Sequence, residues 1–375
     1  MAITAITEAE LADAVRCANG PLCIVGGGTR MVRNIGAAEV LHTSGLSGVT
    51  LYEPGALTLV AGAGTPLAEV EGLLANEGQR LPFEVPDMRG LLGGIGASTL
   101  GGVVATNASG PRRVQVGACR DSLIGVRFVD GTGTVIKNGG RVMKNVTGYD
   151  LVKLMAGSHG TLGVLTEVSF KLLPIPEAAA TLMIYGLDPG AAVAAMSAAL
   201  GSPFEVSGAA HVSTSAEGTS VTFLRIEGFA ASVAYRAERL KDLLAGQREM
   251  ILATDDVQMI RQWQSLRDVE VFHGTGEDVW RISVKPSDAP ILIEQMPGHA
   301  RVCLDWGGGL IWAAVDAGTD LRAHLAPFAG HATRVRGKAA PGISAFHPDQ
   351  PTLAALAKGI RARFDPRGIL NPGLM

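Results

Sequence analysis

The feature that most constrains this fold is the glycine-rich stretch at residues 90–111, GLLGGIGASTLGGVVATNASGP. It contains seven glycines and no charged residue in 22 positions. Twelve of those positions are glycine or polar, and each glycine destabilises a helix by roughly 1 kcal/mol relative to alanine, so the stretch is poorly suited to span a membrane. Glycine lacks a Cβ atom and adopts positive φ angles, which lets a backbone approach a ligand closely. We therefore interpret the stretch as a ligand-binding loop that presents N–H groups to an anion.

Three more glycine-rich segments lie in the first half of the chain: GGGTR (26–30), AGAGTP (61–66) and AGSHGTLG (156–163). None has the G-x-G-x-x-G pattern after a strand or the Gly-Lys-Ser/Thr ending of a P-loop, so a Rossmann domain and a P-loop NTPase are both disfavoured. A single glycine loop is most often a plain turn. Several in one half of a chain predict one long ligand, such as a dinucleotide, that all of the loops contact.

Composition sets wider bounds. The length of 375 residues suggests two domains, and the net charge of −3 gives no electrostatic footprint for nucleic acid. The cysteines Cys17, Cys23, Cys119 and Cys303 form no C-x-x-C pair, so we expect free, buried thiols. The N-terminal segment lacks the basic region of a secretory signal. We expect a cytoplasmic chain, or one that is peripheral at the inner membrane through its partners.

Local signals place secondary structure on both sides of Pro174 and Pro176, which we take as the boundary between domains at 1–174 and 175–375. Thr7 and Glu10 form a capping-box signal for a helix to about residue 18. In the same half we predict strands at 22–25, 57–62 and 163–174, helices at 65–78 and 150–156, and a hairpin at 122–137 that turns at Asp130-Gly131.

The second half shows the element order β-α-β-β-α twice, without residue identity between the copies. Each copy resembles a split βαβ unit, which predicts a mostly antiparallel sheet with helices on one face. The last helix of the second copy is predicted at TDLRAHLAPF (319–328), and a connecting helix is predicted near 256–267. A helix at 351–364 and the turn-rich tail FDPRGILNPGLM follow. The predicted fold class is α+β.

Longer blocks carry a resemblance over almost the whole chain. They include IVGGGTR, TLGGVVATNASGPRR, GGRVMKNVTGYDLVKLMAGSHGTLGVLTEVSFKLLP, VWRISV, GHATRVRG and FDPRGILNPG. In these blocks the chain resembles the FAD-binding flavoenzymes of the vanillyl-alcohol-oxidase (PCMH-type) superfamily, and more closely the FAD-binding subunits of bacterial glycolate oxidases (glycolate dehydrogenases). The resemblance implies a PCMH-type FAD-binding fold of two subdomains for 1–174. It implies an α+β cap domain for 175–375, for substrate or partner binding, with a tail that returns to the first domain.

The resemblance also implies which residues bind FAD. These are Gly26, Gly27, Gly28, Thr29 and Arg30 in a first region, Thr99, Leu100, Gly101, Gly102 and Asn107 in a second, Gly157, Ser158, Gly160, Thr161, Gly163 and Val164 in a third, and Asn371 in the tail. Arg30, Arg33, Arg112 and Arg113 flank the loops and could offset the charge of the diphosphate. Some superfamily members attach the flavin through a His in the first loop. Because Thr29 takes that place here, FAD is expected to bind without a covalent bond.

Oxidation of a 2-hydroxy acid needs a base for the hydroxyl proton and a cation for the carboxylate. His347 and His331 are the candidate bases and Arg281 is the candidate cation, with Arg334 as a second arginine in a matching block. Larger relatives that oxidise D-2-hydroxy acids carry a His-rich metal site. The sequence contains no comparable His cluster, so we predict no metal, and this difference favours an accessory subunit.

The resemblance implies an FAD-binding subunit of a multi-subunit oxidase that supports the oxidation of glycolate to glyoxylate. Its partners would be a larger FAD-containing catalytic subunit and an iron–sulfur subunit, because the scattered cysteines of this chain suit no four-thiolate cluster. The alternatives are a self-sufficient FAD-dependent dehydrogenase, a non-catalytic assembly subunit that binds FAD, and a binding protein for another nucleotide. Apolar surface around Trp306 and Trp312 is a candidate docking face for a partner, and burial of either indole in the core of the chain is the favoured alternative.

Overall fold

The computed structural model describes residues 2–31, 39–140, 148–213, 218–246, 248–254, 257–338 and 342–374. The strands are β1 (Ala2–Thr4), β2 (Leu22–Val25), β3 (Glu39–His42), β4 (Val49–Glu53), β5 (Thr58–Gly62), β6 (Gln79–Arg80), β7 (Leu123–Val129), β8 (Val135–Gly139), β9 (Val164–Lys171), β10 (Leu173–Pro174), β11 (Ala178–Tyr185), β12 (Val206–Val212), β13 (Val221–Gly228), β14 (Met250–Thr254), β15 (Asp278–Val284), β16 (Arg301–Asp305), β17 (Leu310–Val315) and β18 (Gly330–Arg336). The helices are α1 (Glu8–Cys17), α2 (Leu67–Asn76), α3 (Arg89–Leu92), α4 (Leu100–Ala105), α5 (Arg113–Val116), α6 (Cys119–Ser122), α7 (Leu151–Met155), α8 (Pro189–Leu200), α9 (Ala230–Leu243), α10 (Val257–Asp268), α11 (Ala289–Gln295) and α12 (Pro351–Phe364).

The first half of the chain forms a five-stranded antiparallel sheet in the order β4-β5-β9-β7-β8 and a three-stranded parallel sheet in the order β1-β3-β2. In α2, Leu67, Val70 and Leu74 recur at helical spacing, and this face is buried against β5, β7 and β9. The short helix α4 adds Leu100 and Val103 to the same core. The larger sheet therefore supports α4, which lies within the glycine-rich stretch.

The small sheet and α1 form a second core, which the C-terminal tail joins. The predicted start of α1 at Thr7 is confirmed, because Glu10 N donates to Thr7 Oγ1 at 3.2 Å. The Glu10 carboxylate does not complete the capping box: it accepts from Ile6 N at 2.9 Å, one residue before the N-cap. Ile369 and Leu370 pack into this core, and Leu22 N donates to Ile369 O at 2.7 Å. The tail thus lies directly against β2, the strand that leads into the segment GGGTR.

The second half forms one eight-stranded antiparallel sheet in the order β14-β11-β13-β12-β16-β17-β15-β18. Helices α8, α9 and α11 pack on one face, whereas α10 and α3 pack on the other through Trp263 and Leu91. The prediction of helices on one face is therefore wrong. The predicted helix at 319–328 is also wrong, because only a single 3₁₀ turn, Leu321–Ala323, forms before Pro327. Strand β14 was not predicted, and it extends the sheet beside β11.

A buried network of ion pairs joins the two halves. Arg225 Nη1 lies 2.9 Å from Glu84 Oε1, Arg112 Nη2 lies 2.6 Å from Glu227 Oε1, and Arg80 Nη1 lies 2.9 Å from the same Glu227 oxygen. Arg112 is therefore committed to two glutamates, and the prediction that it offsets the charge of a diphosphate is wrong. The network fixes the second sheet against the loops of the first half.

Three sequence-wide features can be checked in the described residues. No helix there has the length and apolar character to cross a bilayer. No group of three or more His, Cys, Asp or Glu side chains in that part of the chain is arranged to hold a metal ion. All four cysteines are free, and Cys17 is exposed, contrary to the expectation that all would be buried.

Candidate functional site

Three of the predicted loops and the C-terminal tail line one groove, whereas the fourth loop, AGAGTP (61–66), does not line it. The groove consists of two adjoining pockets that share Gly26, Gly102, His159 and Asn371. The predicted residues that line it are Gly26, Gly27, Gly28, Thr29, Arg30, Thr99, Gly101, Gly102, Ser158, Gly160, Gly163, Val164 and Asn371. Positions up to about 345 residues apart in the sequence therefore meet at one site.

The first loop, 26–30, follows β2 directly and presents its backbone to the groove. None of its five N–H groups donates a hydrogen bond to any other described residue. A Cβ atom on Gly27 would overlap Ala97 O, and a Cβ atom on Gly96 would overlap Gly27 O, so the two loops meet backbone to backbone. This close contact holds a row of free N–H donors at the groove, which is an arrangement that binds anions.

The second region differs from the prediction that residues 99–102 donate their N–H groups to a ligand. Leu100 N donates to Thr65 O at 3.1 Å, Gly101 N donates to Ala63 O at 2.7 Å, and Gly102 N is capped by Thr99 Oγ1 at 3.4 Å. These donors are therefore occupied within the protein, and that part of the prediction is wrong. What the region offers the groove is space, because Gly102 lines it without a side chain.

The third region, 157–163, is held by α4 and by the tail. His159 N donates to Ala105 O at 2.8 Å, and Asn371 Nδ2 donates to His159 O at 2.7 Å. Ile24 N in turn donates to Asn371 Oδ1 at 2.8 Å, so one amide side chain connects β2 to this loop. His159 (φ 52°) and Asn371 (φ 43°) both adopt the left-handed backbone region. These residues build the floor of the groove.

His159 was not among the predicted site residues, although it lies inside the segment AGSHGTLG. Burial and the positive charge of Arg281 lower the pKa of His159 to about 4, so the imidazole is neutral at physiological pH. Its position between two predicted glycines was the signal that could have identified it.

Arg30 is the only Lys or Arg among the described residues that line the groove. Its guanidinium donates to Thr29 Oγ1 at 3.0 Å, Ser98 Oγ at 2.5 Å and Pro86 O at 2.7 Å, and it forms no ion pair with a described carboxylate. Burial lowers its pKa to about 10, which keeps it charged. The nearby Arg33 lies outside the described residues.

Five predicted FAD-binding residues do not line the groove: Leu100, Asn107, Arg113, Gly157 and Thr161. The predicted catalytic residues Arg281, His331 and His347 do not line it either. Leu100 is in the core, and Thr161 Oγ1 donates to Ser158 O at 2.7 Å. Asn107 Oδ1 accepts from Arg120 N at 3.0 Å, and Gly157 N donates to Val104 O at 3.0 Å. These four shape the loops. Arg113 points elsewhere, onto the indole of Trp306.

The candidate substrate residues Arg281 and His331 lie on adjacent strands and on the same face of the second sheet. Arg281 is paired with Thr333, and Ser283 is paired with His331, so the two side chains are diagonal neighbours. Partial burial and the positive charges of Arg281, His347 and Arg113 lower the pKa of His331. The imidazole is therefore available as a proton acceptor near neutral pH.

His347 and Arg334 have structural partners. Ala332 N, on edge strand β18, donates to His347 Nδ1 at 3.2 Å, and Arg334 N donates to Ala345 O at 2.8 Å. The segment that contains His347 therefore accepts hydrogen bonds from backbone N–H groups of β18 that no neighbouring strand could pair. Arg334 Nη1 also lies 3.4 Å from Asp278 Oδ2. A catalytic role for His347 stays a prediction.

The predicted docking face at Trp306 and Trp312 is wrong, because both indoles are buried, at 8% and 6% exposure. Trp312 lies on β17, and its side chain packs in the core between the second sheet and α10. Trp306 Nε1 donates to Gly110 O at 3.0 Å, so this ring joins the second sheet to the glycine-rich stretch.

Comparison with known proteins decides the family. The family described as FAD binding domain matches residues 1–139. Glycolate oxidase subunit GlcE of Escherichia coli (strain K12) is 35% identical over 331 residues, which cover 88% of this chain and 84% of that protein. The chain belongs to the GlcE family. Glycolate oxidase subunit GlcD of Bacillus subtilis (strain 168) is 45% identical over 86 residues, or 23% of this chain and 18% of that protein.

Solved structures agree on the fold. P-cresol methylhydroxylase with bound substrate superposes with a TM-score of 0.73 at 12% identity, over 99% of this chain and 88% of that one. Alkyldihydroxyacetonephosphate synthase superposes with a TM-score of 0.72 at 16% identity, over 100% of this chain and 77% of that one. The predicted PCMH-type α+β fold is confirmed.

The chain accordingly belongs to a family of FAD-dependent oxidoreductases, and FAD is its cofactor. The groove fits this cofactor on its own geometry. Free N–H groups at 26–30 and the unpaired Arg30 suit a diphosphate, and the described residues that line the groove include no Asp or Glu. The bare surface at Gly102 leaves room for a ring system.

Proposed function

We propose that this GlcE-family chain is the FAD-binding subunit of a multi-subunit oxidase that converts glycolate, or a closely similar 2-hydroxy acid, to the 2-oxo acid. Its partners are a larger FAD-containing subunit and an iron–sulfur subunit, which takes the electrons onward. The observation that carries the proposal is the likeness to a glycolate oxidase subunit over 88% of the chain. We place the complex in the cytoplasm, at the inner membrane only through the partners.

The chemistry supplied by bound FAD is acceptance of the hydride from the hydroxyl-bearing carbon. The N–H groups of loop 26–30 and the Arg30 guanidinium would hold the diphosphate, and the missing side chain at Gly102 would leave room for the cofactor in the groove. Arg281 attracts the substrate carboxylate. His331, with its lowered pKa, accepts the hydroxyl proton. Asn371 positions two of the loops and need not contact the substrate.

Reconstitution tests the assignment. Glycolate-dependent reduction of a dye is measured with this chain alone, then with the larger flavin subunit and the iron–sulfur subunit added, and then with this chain omitted. We expect activity only in the full mixture. Full activity of the lone chain would instead support a self-sufficient dehydrogenase, and unchanged activity without this chain would contradict a role in turnover.

The cofactor assignment has its own test. The purified chain mixed with FAD should show flavin absorption bands, and acid precipitation should release all of the flavin into the supernatant, because Thr29 stands where a covalent linkage would need His. A yellow pellet would contradict non-covalent binding. A spectrum without flavin bands would contradict the flavin assignment itself.

A further inference from the structure

Two guanidinium groups lie on one indole beside the groove. Arg113 Cζ is 4.4 Å from the ring centroid of Trp306, and Arg281 Cζ is 5.1 Å from the same centroid. Arg113 comes from the first half of the chain, and Arg281 comes from β15 in the second. Stacking on an aromatic face leaves the N–H edge of a guanidinium free for an anion.

Neither of these arginines has a counter-ion among the residues that the structure describes. Within the described ranges, no carboxylate lies within 4.0 Å of either guanidinium, and neither donates a hydrogen bond. Arg225 and Arg112, by contrast, are buried and paired with glutamates. Burial and the charge of Arg113 lower the pKa of Arg281 to about 10. Two adjacent positive charges repel each other, and a bound anion would relieve that repulsion.

Asp305 is the acidic residue whose charge raises the pKa of Arg281, but it does not neutralise the arginine. Asp305 Oδ1 accepts from Trp306 N at 2.7 Å, so one oxygen is occupied. Burial raises the pKa of Asp305 to about 7, and a large fraction of this carboxyl is therefore uncharged near neutral pH. Positive charge remains for a ligand from solution.

We propose that Arg113 and Arg281, stacked on Trp306, together bind the carboxylate of the 2-hydroxy acid. This inference rests on the proposed function and adds Arg113 and Trp306 to the substrate site. A guanidinium fork matches a carboxylate, and two forks can take both of its oxygens. The location agrees, because the charge of Arg281 acts on His159 in the floor of the groove and on His331 along the same sheet face.

The proposed carboxylate site is also distinct from the residues proposed to bind the diphosphate of FAD. Arg113 does not line the groove, whereas the free N–H groups and Arg30 do. The site is assembled from both halves, and the Trp306 Nε1 hydrogen bond to Gly110 O holds the ring between them.

Binding to the FAD-loaded chain, without turnover, tests the site. Glycolate is titrated while flavin absorbance and tryptophan fluorescence are followed, with ethylene glycol as the uncharged control ligand. We expect Arg113→Gln and Arg281→Gln each to weaken glycolate binding roughly ten- to a hundredfold, as for loss of a charge-assisted hydrogen bond, with flavin content unchanged. Arg120→Gln removes a charge from an exposed arginine near Arg113, and its binding should match the unchanged chain.

Three outcomes would overturn the site. Equal glycolate affinity in Arg113→Gln and the unchanged chain would remove Arg113 from it. Loss of flavin in that variant, with glycolate binding intact, would assign Arg113 to the cofactor phosphates. No glycolate response in the unchanged chain would end the inference, while activity of the reconstituted complex would still support the proposed function. If Arg281→Gln fails to fold, Arg113→Gln and Trp306→Phe test the site instead, because each alters it without changing Arg281.

Discussion

Single glycines in the stretch 90–111 serve two different purposes. Gly96 packs its backbone against Gly27, and Gly101 lies against Ala63, so protein atoms exclude a Cβ at both. Gly102 is different, because a Cβ there would meet only Thr99 Oγ1, at 3.3 Å, and would otherwise point into the groove. Its φ angle is ordinary for a helix, so space and not conformation requires glycine here.

Gly102→Val should abolish FAD binding while the chain stays folded, because the added methyl groups would fill the groove. The absorbance ratio of flavin to protein should fall to near zero, with an unchanged circular dichroism spectrum. Gly72→Val is the matched control, since Gly72 lies in α2 and no atom is within 4 Å of its added Cβ. Normal flavin content in Gly102→Val would show that this residue does not face the cofactor.

Asp305 predicts a dependence of stability on pH. Its folded pKa, about 7, is above the usual 3.8, so the free energy of unfolding falls as pH rises through this interval. Asp305→Asn keeps an acceptor for Trp306 N and removes the buried charge. We expect the variant to be more stable than the unchanged chain near pH 8, on the order of 2 kcal/mol, with the difference shrinking toward pH 4. Chemical denaturation at the two pH values measures it, and a difference independent of pH would contradict the assignment.

At the scale of elements, local signals predicted what local interactions determine. The N-cap of α1 and the β7–β8 hairpin formed where Thr7 and Asp130 indicated. The edge strand β14 and the helix α4 inside a glycine-rich run could not be predicted, because sheet pairing with β11 and packing in the core decide them. For the site, the loops were predictable from glycine. The occupied N–H groups of Leu100 and Gly101 were not, since their acceptors lie about 35 residues earlier in the chain.

Asn371 connects the tail to two other elements, so its loss should loosen all three. Asn371→Ala leaves Ile24 N and His159 O without their partners and places alanine at a φ of 43°. We expect a loss of about 2–4 kcal/mol in the free energy of unfolding and a reduced flavin content. Asn76→Ala, at the exposed end of α2, is the control. Wild-type stability in Asn371→Ala, measured by urea denaturation, would show that the tail is not needed.

For the whole molecule, the ion-pair network holds the two halves together and should fail in acid. Burial alone would raise the pKa of Glu84, but Arg225 and Arg112 outweigh it and lower the pKa to about 2, and the pKa of Glu227 is lowered further by the same arginines. These groups stabilise the fold above the unfolded pKa of 4.5, and that contribution is lost as pH falls toward 2.

Glu227→Gln should destabilise the chain by about 3–5 kcal/mol at neutral pH, because it leaves buried arginine charge unpaired. Between about pH 5 and pH 3 the variant should lose less stability than the unchanged chain does. Glu277→Gln breaks the more exposed pair with Arg301 and should cost no more than about 1 kcal/mol. Chemical denaturation measures the free energy of unfolding of both variants. An equal loss of stability in Glu227→Gln and Glu277→Gln would mean that the buried network does not hold the two halves together.

The link through Asn371 also sets an order of events in time. Asn371 is translated 347 residues after Ile24, the strand residue that it binds. A ribosome adds roughly 5–20 residues per second, so the nascent chain spends on the order of 20–70 s with β2 made and its clamp still missing. The loops cannot take their final places during that interval. We therefore expect stable FAD binding only after synthesis has passed Asn371.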